Sequence, residues 1–172
     1  MSEINQALKG NGTTRREFLQ MAAGAGVTTM MASTTTSAVG QQRSPNERIG
    51  VGFIGVGGRA QEHIRIVNEL QQAGVAEPVA VCDVYRPRLE AAAKRCGGAK
   101  MYLAHEELLA DPKVDVVCIA TPDRLHAPQA IDAVRAGKDV YCEKPLTHWA
   151  QFDLARQLEL AAEQTGRLVQ VG

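Results

Sequence analysis

The sequence has 172 residues, enough for one domain of ordinary size, and its 19 Lys and Arg balance its 19 Asp and Glu. This neutral balance argues against a nucleic-acid-binding protein, which needs a basic surface to neutralise phosphates. Hydrophobic residues make up 45% of the chain and aromatic residues only 4%, which favours layered α/β packing over a base-stacking surface.

The first forty residues have the layout of an export signal. Arg15 and Arg16 precede an apolar stretch over residues 21–32, and Ala38 and Gly40 supply small residues at its end. The apolar stretch is too short and too interrupted to span a bilayer, which takes roughly 20 apolar residues. The order of these features resembles a bacterial twin-arginine signal, which implies export of the folded protein to the periplasm or beyond.

We therefore expect a signal peptide over residues 1–40, with cleavage before Gln41, and a polar linker over residues 41–47. One domain should follow over residues 48–172. The mature protein should have no stable membrane anchor and should lie outside the cytoplasm.

From residue 48 onward, short apolar runs alternate with amphipathic stretches. Strands are predicted at 48–54, 78–82, 101–103, 114–120, 139–142 and 168–171, and helices at 59–72, 87–96, 106–110, 128–136 and 147–165. Pro128 should occupy the first position of its helix, and Thr147 should cap the last helix. Repeated strand–helix alternation predicts an α/β fold with a doubly wound, mostly parallel six-stranded Rossmann sheet.

A glycine-rich loop follows the first predicted strand and opens the first helix. It matches G-x-G-x-x-A at Gly55, Gly57 and Ala60. In this pattern the first glycine permits a tight turn, the second lets a pyrophosphate approach the backbone, and the small third residue allows close helix–strand packing. The predicted cofactor-binding residues of this loop are Gly55, Val56, Gly57, Gly58, Arg59 and Ala60.

Asp83 ends the second predicted strand, at about the 20-residue separation expected of a carboxylate that binds the adenosine ribose. Its charge should repel a 2′-phosphate, which favours NAD over NADP as the cofactor. Arg86 and Arg88 leave NADP open, because a nearby arginine can hold that phosphate.

Two further motifs stand where the fourth and fifth strands should end, at the sheet edge that holds ligands. They read A-T-P-D-R-L-H over residues 120–126 and C-E-K-P-L over residues 142–146. Together with the glycine loop, they resemble the Gfo/Idh/MocA oxidoreductase family. The resemblance implies hydride transfer between NAD(P) and sugars, inositols or related polyols. It also implies that Thr121 and Pro122 line the dinucleotide crevice. We predict no metal site.

The same resemblance places His126 near the nicotinamide ribose and Lys144 near the nicotinamide and the reacting hydroxyl. The chemistry of the residues agrees, because a lysine ammonium can orient a carbinol and stabilise developing alkoxide charge. A lysine whose pKa is lowered by a nicotinamide cation can also accept the proton. We therefore predict Lys144 as the catalytic residue, with Glu143 in the cofactor site neutralising or positioning it.

The resemblance also implies a C-terminal α/β substrate domain, which these 172 residues do not contain. We expect this chain alone to bind dinucleotide without turnover. Two alternatives to a polyol dehydrogenase stay open: an NAD-dependent glycoside hydrolase of the same family, and a truncated, non-catalytic NAD-binding module. A homo-oligomer is one of the alternatives for the oligomeric state.

Four cysteines, at positions 82, 96, 118 and 142, form no C-x-x-C pair, so a zinc ribbon or thioredoxin-like motif is not expected. Three of them lie in short apolar runs. We predict buried, unreactive thiols.

Overall fold

The structure is a computed structural model and describes residues 48–172. The predicted signal peptide and linker lie outside the described residues. The strands are β1 Ile49–Ile54, β2 Ala76–Cys82, β3 Lys100–Tyr102, β4 Val116–Ile119, β5 Asp139–Cys142 and β6 Val169–Val171, and the helices are α1 Ala60–Gln72, α2 Arg86–Arg95, α3 His105–Leu109, α4 His126–Arg135 and α5 Phe152–Thr165. No helix in this range has both the length and the apolar character needed to cross a bilayer.

The six strands form one sheet in the order β3-β2-β1-β4-β5-β6. Every neighbouring pair is parallel, so the predicted Rossmann architecture is confirmed. Strands β2 and β3 lie on one side of β1, and the chain then crosses to place β4, β5 and β6 on the other side of β1. The strand order therefore reverses between β1 and β4, and ligands of such sheets bind beside this point at the carboxyl ends of the strands.

Two hydrophobic cores lie on opposite faces of the sheet. Successive strand residues alternate between them: Phe53 packs in the core beneath α1 and α2, and Ile54 packs in the core beneath α3, α4 and α5. In β4, Cys118 belongs to the first core and Ile119 to the second. Burial on both faces explains why these strands are apolar throughout rather than alternating with polar residues.

Two predicted helix starts are wrong. Helix α4 begins at His126 rather than Pro128, directly after a 3-10 turn over Asp123–Leu125. Pro128 still fits, because the first four N–H groups of a helix have no partner within it, and proline lacks only that group. Helix α5 begins at Phe152, after a 3-10 turn over Trp149–Gln151, so Thr147 does not cap it.

The four cysteines are free and buried, as predicted. Burial raises the pKa of the Cys82, Cys118 and Cys142 thiols to about 12 and that of Cys96 to about 11. Because the thiolate is the reactive form, these side chains are inert at neutral pH.

Candidate functional site

The candidate site lies along the carboxyl ends of the central strands. The turn after β1 carries the glycine loop, β2 leads into Asp83, β4 leads into Thr121, and β5 leads into Glu143 and Lys144. Two cavities of about 340 and 490 Å³ open there. The fold thus brings the separate sequence motifs together at one edge.

Gly55 makes the turn out of β1 with a left-handed backbone, at φ +79°. A Cβ atom at this position would lie 2.6 Å from Thr121 Cγ2 and 2.9 Å from the Ala120 carbonyl oxygen. The loop therefore approaches the end of β4 so closely that only glycine fits. The structure gives Gly55 the tight-turn role predicted for the first glycine of the motif.

Gly57 and Gly58 leave open space beside the N-terminus of α1. A Cβ on Gly57 would meet no atom closer than the Arg88 Nη1 at 3.4 Å, and one on Gly58 would meet nothing within 4 Å. The N–H groups of Gly57, Gly58 and Arg59 donate to no acceptor within residues 48–172. Free N–H groups at a helix N-terminus suit a phosphate. Ala60 and Val56 are buried and fix the loop against the sheet.

Asp83 is buried and lines the smaller cavity. Its Oδ2 accepts a hydrogen bond from the Val56 N–H at 3.0 Å, and its Oδ1 accepts one from the Tyr85 N–H at 2.9 Å. Arg88 Nη1 lies 3.5 Å from Oδ2. Asp83 therefore ties the glycine loop to the end of β2, a role that the sequence spacing did not predict.

The smaller cavity runs from the glycine loop past Asp83 to the start of α3. Its walls combine apolar side chains with the Arg88 guanidinium, which also lies 5.6 Å from the centre of the Tyr85 ring. Thr121 and Pro122 close the cavity on the β4 side. The Thr121 hydroxyl donates to the buried Gln129 amide oxygen at 2.7 Å, which holds this wall in place.

Lys144 lies in the larger cavity, together with charged and polar groups. Its side chain is exposed and has no hydrogen bond or ion pair with any residue in the range 48–172. The other residues lining this cavity are Arg59, Ala120, Thr121, Asp123, His126 and Glu143. An ammonium group without a partner in the described domain is available to a ligand that enters this space.

Neutralisation of Lys144 by Glu143, one of the two roles predicted for Glu143, is not seen in the structure, because its carboxylate pairs with other side chains. Glu143 is buried, and its Oε1 accepts hydrogen bonds from Arg59 Nε and meets His63 Nε2, each at 2.8 Å. Successive residues at a strand end point to opposite faces, so Glu143 points to the α1 face with Tyr141, two residues earlier. Lys144 makes no hydrogen bond or ion pair with that carboxylate, although both residues line the larger cavity.

Burial disfavours the charged form of Glu143, but the hydrogen bonds and charges of Arg59 and His63 outweigh it, so the pKa of this carboxyl is lowered. The residue that sequence reasoning missed is His63, whose ring also meets the Tyr141 ring edge-on at 5.1 Å. Its position four residues after Arg59 puts both side chains on one helix face. That spacing is the signal that would have identified it.

His126 does not present a ring nitrogen to the crevice. It is 2% exposed, with Nδ1 2.7 Å from the Pro145 carbonyl oxygen and Nε2 2.6 Å from the Thr121 carbonyl oxygen. Both nitrogens thus lie against main-chain oxygens, and the residue borders the larger cavity. Its position near the nicotinamide ribose stays a prediction.

Comparison with known proteins gives a consistent family. Residues 49–172 match the Gfo/Idh/MocA family model, described as an oxidoreductase family with an NAD-binding Rossmann fold. The inositol 2-dehydrogenase of Rubrobacter xylanophilus is 38% identical over 131 residues, which are 76% of this chain and 36% of that protein. The chain spans about a third of the length of the curated relatives that it matches.

Solved structures agree with this assignment. The WlbA dehydrogenase from Bordetella pertussis, in complex with NADH and UDP-GlcNAcA, aligns with TM-score 0.63 and 30% identity over 70% of this chain and 35% of that one. Biliverdin reductase from Synechocystis sp. PCC 6803, in complex with biliverdin and NADP+, aligns with TM-score 0.64 and 27% identity over 72% of this chain and 37% of that one. Both dinucleotides thus occur among the structural neighbours.

Proposed function

Because the chain belongs to the Gfo/Idh/MocA oxidoreductase family, we propose that residues 48–172 bind NAD as the cofactor half of a dehydrogenase for a sugar, inositol or related polyol. The observation that carries this proposal is the convergence of the glycine loop, Asp83 and Lys144 on two adjoining cavities at one sheet edge. Similarity to an inositol 2-dehydrogenase and to an enzyme solved with a nucleotide sugar supports the substrate class.

The shape of the edge fits a dinucleotide. The open space at Gly57 and the free N–H groups beside it suit a pyrophosphate. The smaller cavity, bordered by Asp83 and Arg88, would hold the adenosine end. The larger cavity would then receive the nicotinamide end, beside Lys144.

NAD, when bound, would supply the hydride acceptor for the carbinol carbon of the substrate. As a neutral amine, the Lys144 side chain orients the substrate hydroxyl and takes its proton as the hydride leaves and the carbonyl forms. The ammonium charge that develops on Lys144 during this transfer lies beside the developing alkoxide, so it stabilises the transition state and raises kcat. Glu143 takes no proton in this scheme, because Arg59 and His63 keep it in its charged form.

Dinucleotide binding is tested at Gly57. We expect Gly57→Val to weaken NADH binding by at least about tenfold, because its branched side chain would occupy the pyrophosphate space. Fluorescence titration with NADH measures the two dissociation constants. The atom nearest to a Cβ at this position is at the end of the flexible Arg88 side chain. The variant should therefore have the same midpoint of urea unfolding as the wild-type protein. Equal NADH affinities would contradict the assignment of this loop.

We also propose that the chain prefers NAD over NADP, because Asp83 places a carboxylate at the ribose position. Asp83→Ser should favour NADP relative to NAD by about 1–2 kcal/mol, since the repulsion of a 2′-phosphate is removed. Competition titrations with both cofactors give the ratio of the NAD and NADP dissociation constants. Arg88→Ala is the opposite control, because loss of a guanidinium 3.5 Å from Asp83 should weaken NADP selectively. An unchanged ratio in Asp83→Ser would show that this side chain does not face the ribose.

Finally, we propose that the protein is exported through the twin-arginine pathway. Residues 1–45 fused to a reporter that works only after folded export should give periplasmic activity in a bacterium. Arg15→Lys combined with Arg16→Lys should abolish that activity, because the pathway reads the arginine pair. Export that survives the double substitution would mean that the N-terminus is a different signal or none.

A further inference from the structure

The loop that carries Lys144 is attached on both sides to different helices. We infer that Glu143 and His126 are positioning residues that clamp the main chain on either side of Lys144 and so direct its ammonium group into the larger cavity. This inference rests on the proposed function, because it assigns the clamp to the lysine that serves the substrate and cofactor.

The first attachment joins the N-terminal side of the loop to α1. The Glu143 carboxylate is 8% exposed. Its Oε1 atom lies 2.8 Å from both Arg59 Nε and His63 Nε2. Hydrogen bonds to a charged group are stronger than those between neutral groups, and a buried carboxylate that lost them would be left with an unpaired charge. Glu143 therefore fixes the end of β5 to the helix that follows the glycine loop.

The second attachment joins the C-terminal side of the loop to α4. The buried His126 ring lies between the Pro145 and Thr121 carbonyl oxygens, at 2.7 and 2.6 Å. A neutral imidazole donates from one nitrogen and an imidazolium from both, so the bond to the Pro145 carbonyl oxygen requires the proton on Nδ1. With that proton in place, His126 holds Pro145 to the start of α4.

The two attachments approach from opposite faces of the sheet. Helix α1 packs in one core, whereas α4 packs in the other, together with the neighbouring Leu146. The Lys144 side chain makes no hydrogen bond or ion pair with the described residues. Its position is therefore set by the main chain that carries it. A tilt of the loop toward either helix is opposed by the attachment on the other face.

The test follows Lys144 directly in the whole 172-residue chain. Its lysines are dimethylated with carbon-13 formaldehyde, and Lys144→Arg identifies the Lys144 signal by its absence. We expect saturating NAD+ to shift that signal in the wild-type protein and not the signal of Lys94, which lies on α2. His126→Gln and Glu143→Gln should each remove the Lys144 response. Glu62→Gln, which breaks an exposed ion pair on α1, should keep it.

NADH titration of each variant distinguishes the possible failures. If wild-type protein binds no NADH, the proposed function fails before the clamp is tested. If Glu143→Gln and His126→Gln bind NADH and the Lys144 signal still shifts as in the wild type, the clamp is wrong. Loss of NADH binding in folded variants would also overturn it, because these residues would then act on the cofactor itself. Should His126→Gln fail to fold, Glu143→Gln decides the matter, because its carboxamide keeps the shape of the carboxylate.

Discussion

Lys144→Ala is expected to lower kcat by about 10²–10⁴-fold in a catalytically active form of the protein, the usual cost of losing a positioned acid–base or electrostatic group. The structure supports a large effect, because Lys144 lies in the larger cavity with no partner among the described residues. The Lys144 side chain is therefore available to interact with the ligand. Because that interaction develops with the alkoxide, the substitution should change kcat far more than the affinity for NAD.

The measurement is NADH formation with sugars and polyols, and the control is NADH titration of the same variant. Lys113, on the connection between α3 and β4, lies outside both cavities, so Lys113→Ala should keep wild-type kcat. Full activity in Lys144→Ala would show that the Glu143-Lys144-Pro145 segment is a structural turn without a catalytic role. Glycoside cleavage without net NADH formation would favour the hydrolase alternative, and binding without either reaction would favour a non-catalytic module.

Gly55→Ala should lower the free energy of unfolding by at least about 2 kcal/mol, because two costs add. The φ of +79° is strained for any residue with a Cβ, and that atom would lie 2.6 Å from Thr121 Cγ2. Relief requires the loop to move away from β4, which also misplaces the Val56 N–H that bonds to Asp83. NADH binding should therefore be lost together with stability.

Urea denaturation of Gly55→Ala and Gly58→Ala separates this effect from a general sensitivity of the loop. A Cβ on Gly58 meets nothing within 4 Å, and its φ is not positive, so Gly58→Ala should unfold close to the wild-type midpoint. Matching midpoints for the two variants would show that the turn after β1 is not held as the structure has it.

The sheet could be predicted almost completely from the sequence, because buried parallel strands appear as short apolar runs between turn residues. Element ends were harder to place. Pro128 suggested a helix start, yet a proline is tolerated anywhere among the first unpaired N–H groups, so it marks a region rather than a residue. Thr147 has the right residue type for a cap, but the chain makes a 3-10 turn before α5 begins.

The candidate site was predictable where a motif fixes the backbone and less so where side chains choose partners. Gly55 and Asp83 lie at the edge expected from their spacing. The partners of Glu143 were not predictable, because Arg59 and His63 reach it from more than 75 positions away in sequence. His126 was placed at the cofactor from its motif alone, whereas its partners come from two loops that only the folded sheet brings together.

The burial of all four thiols makes the domain a convenient host for a single reporter group. A cysteine introduced on the exposed surface, for example at Trp149, which is 86% exposed, would be the only thiol with an ordinary pKa. A maleimide dye or spin label would then attach at one chosen point of the native protein without removing the natural cysteines. Movements of the segment between β5 and α5 could thus be followed while cofactor or substrate is added.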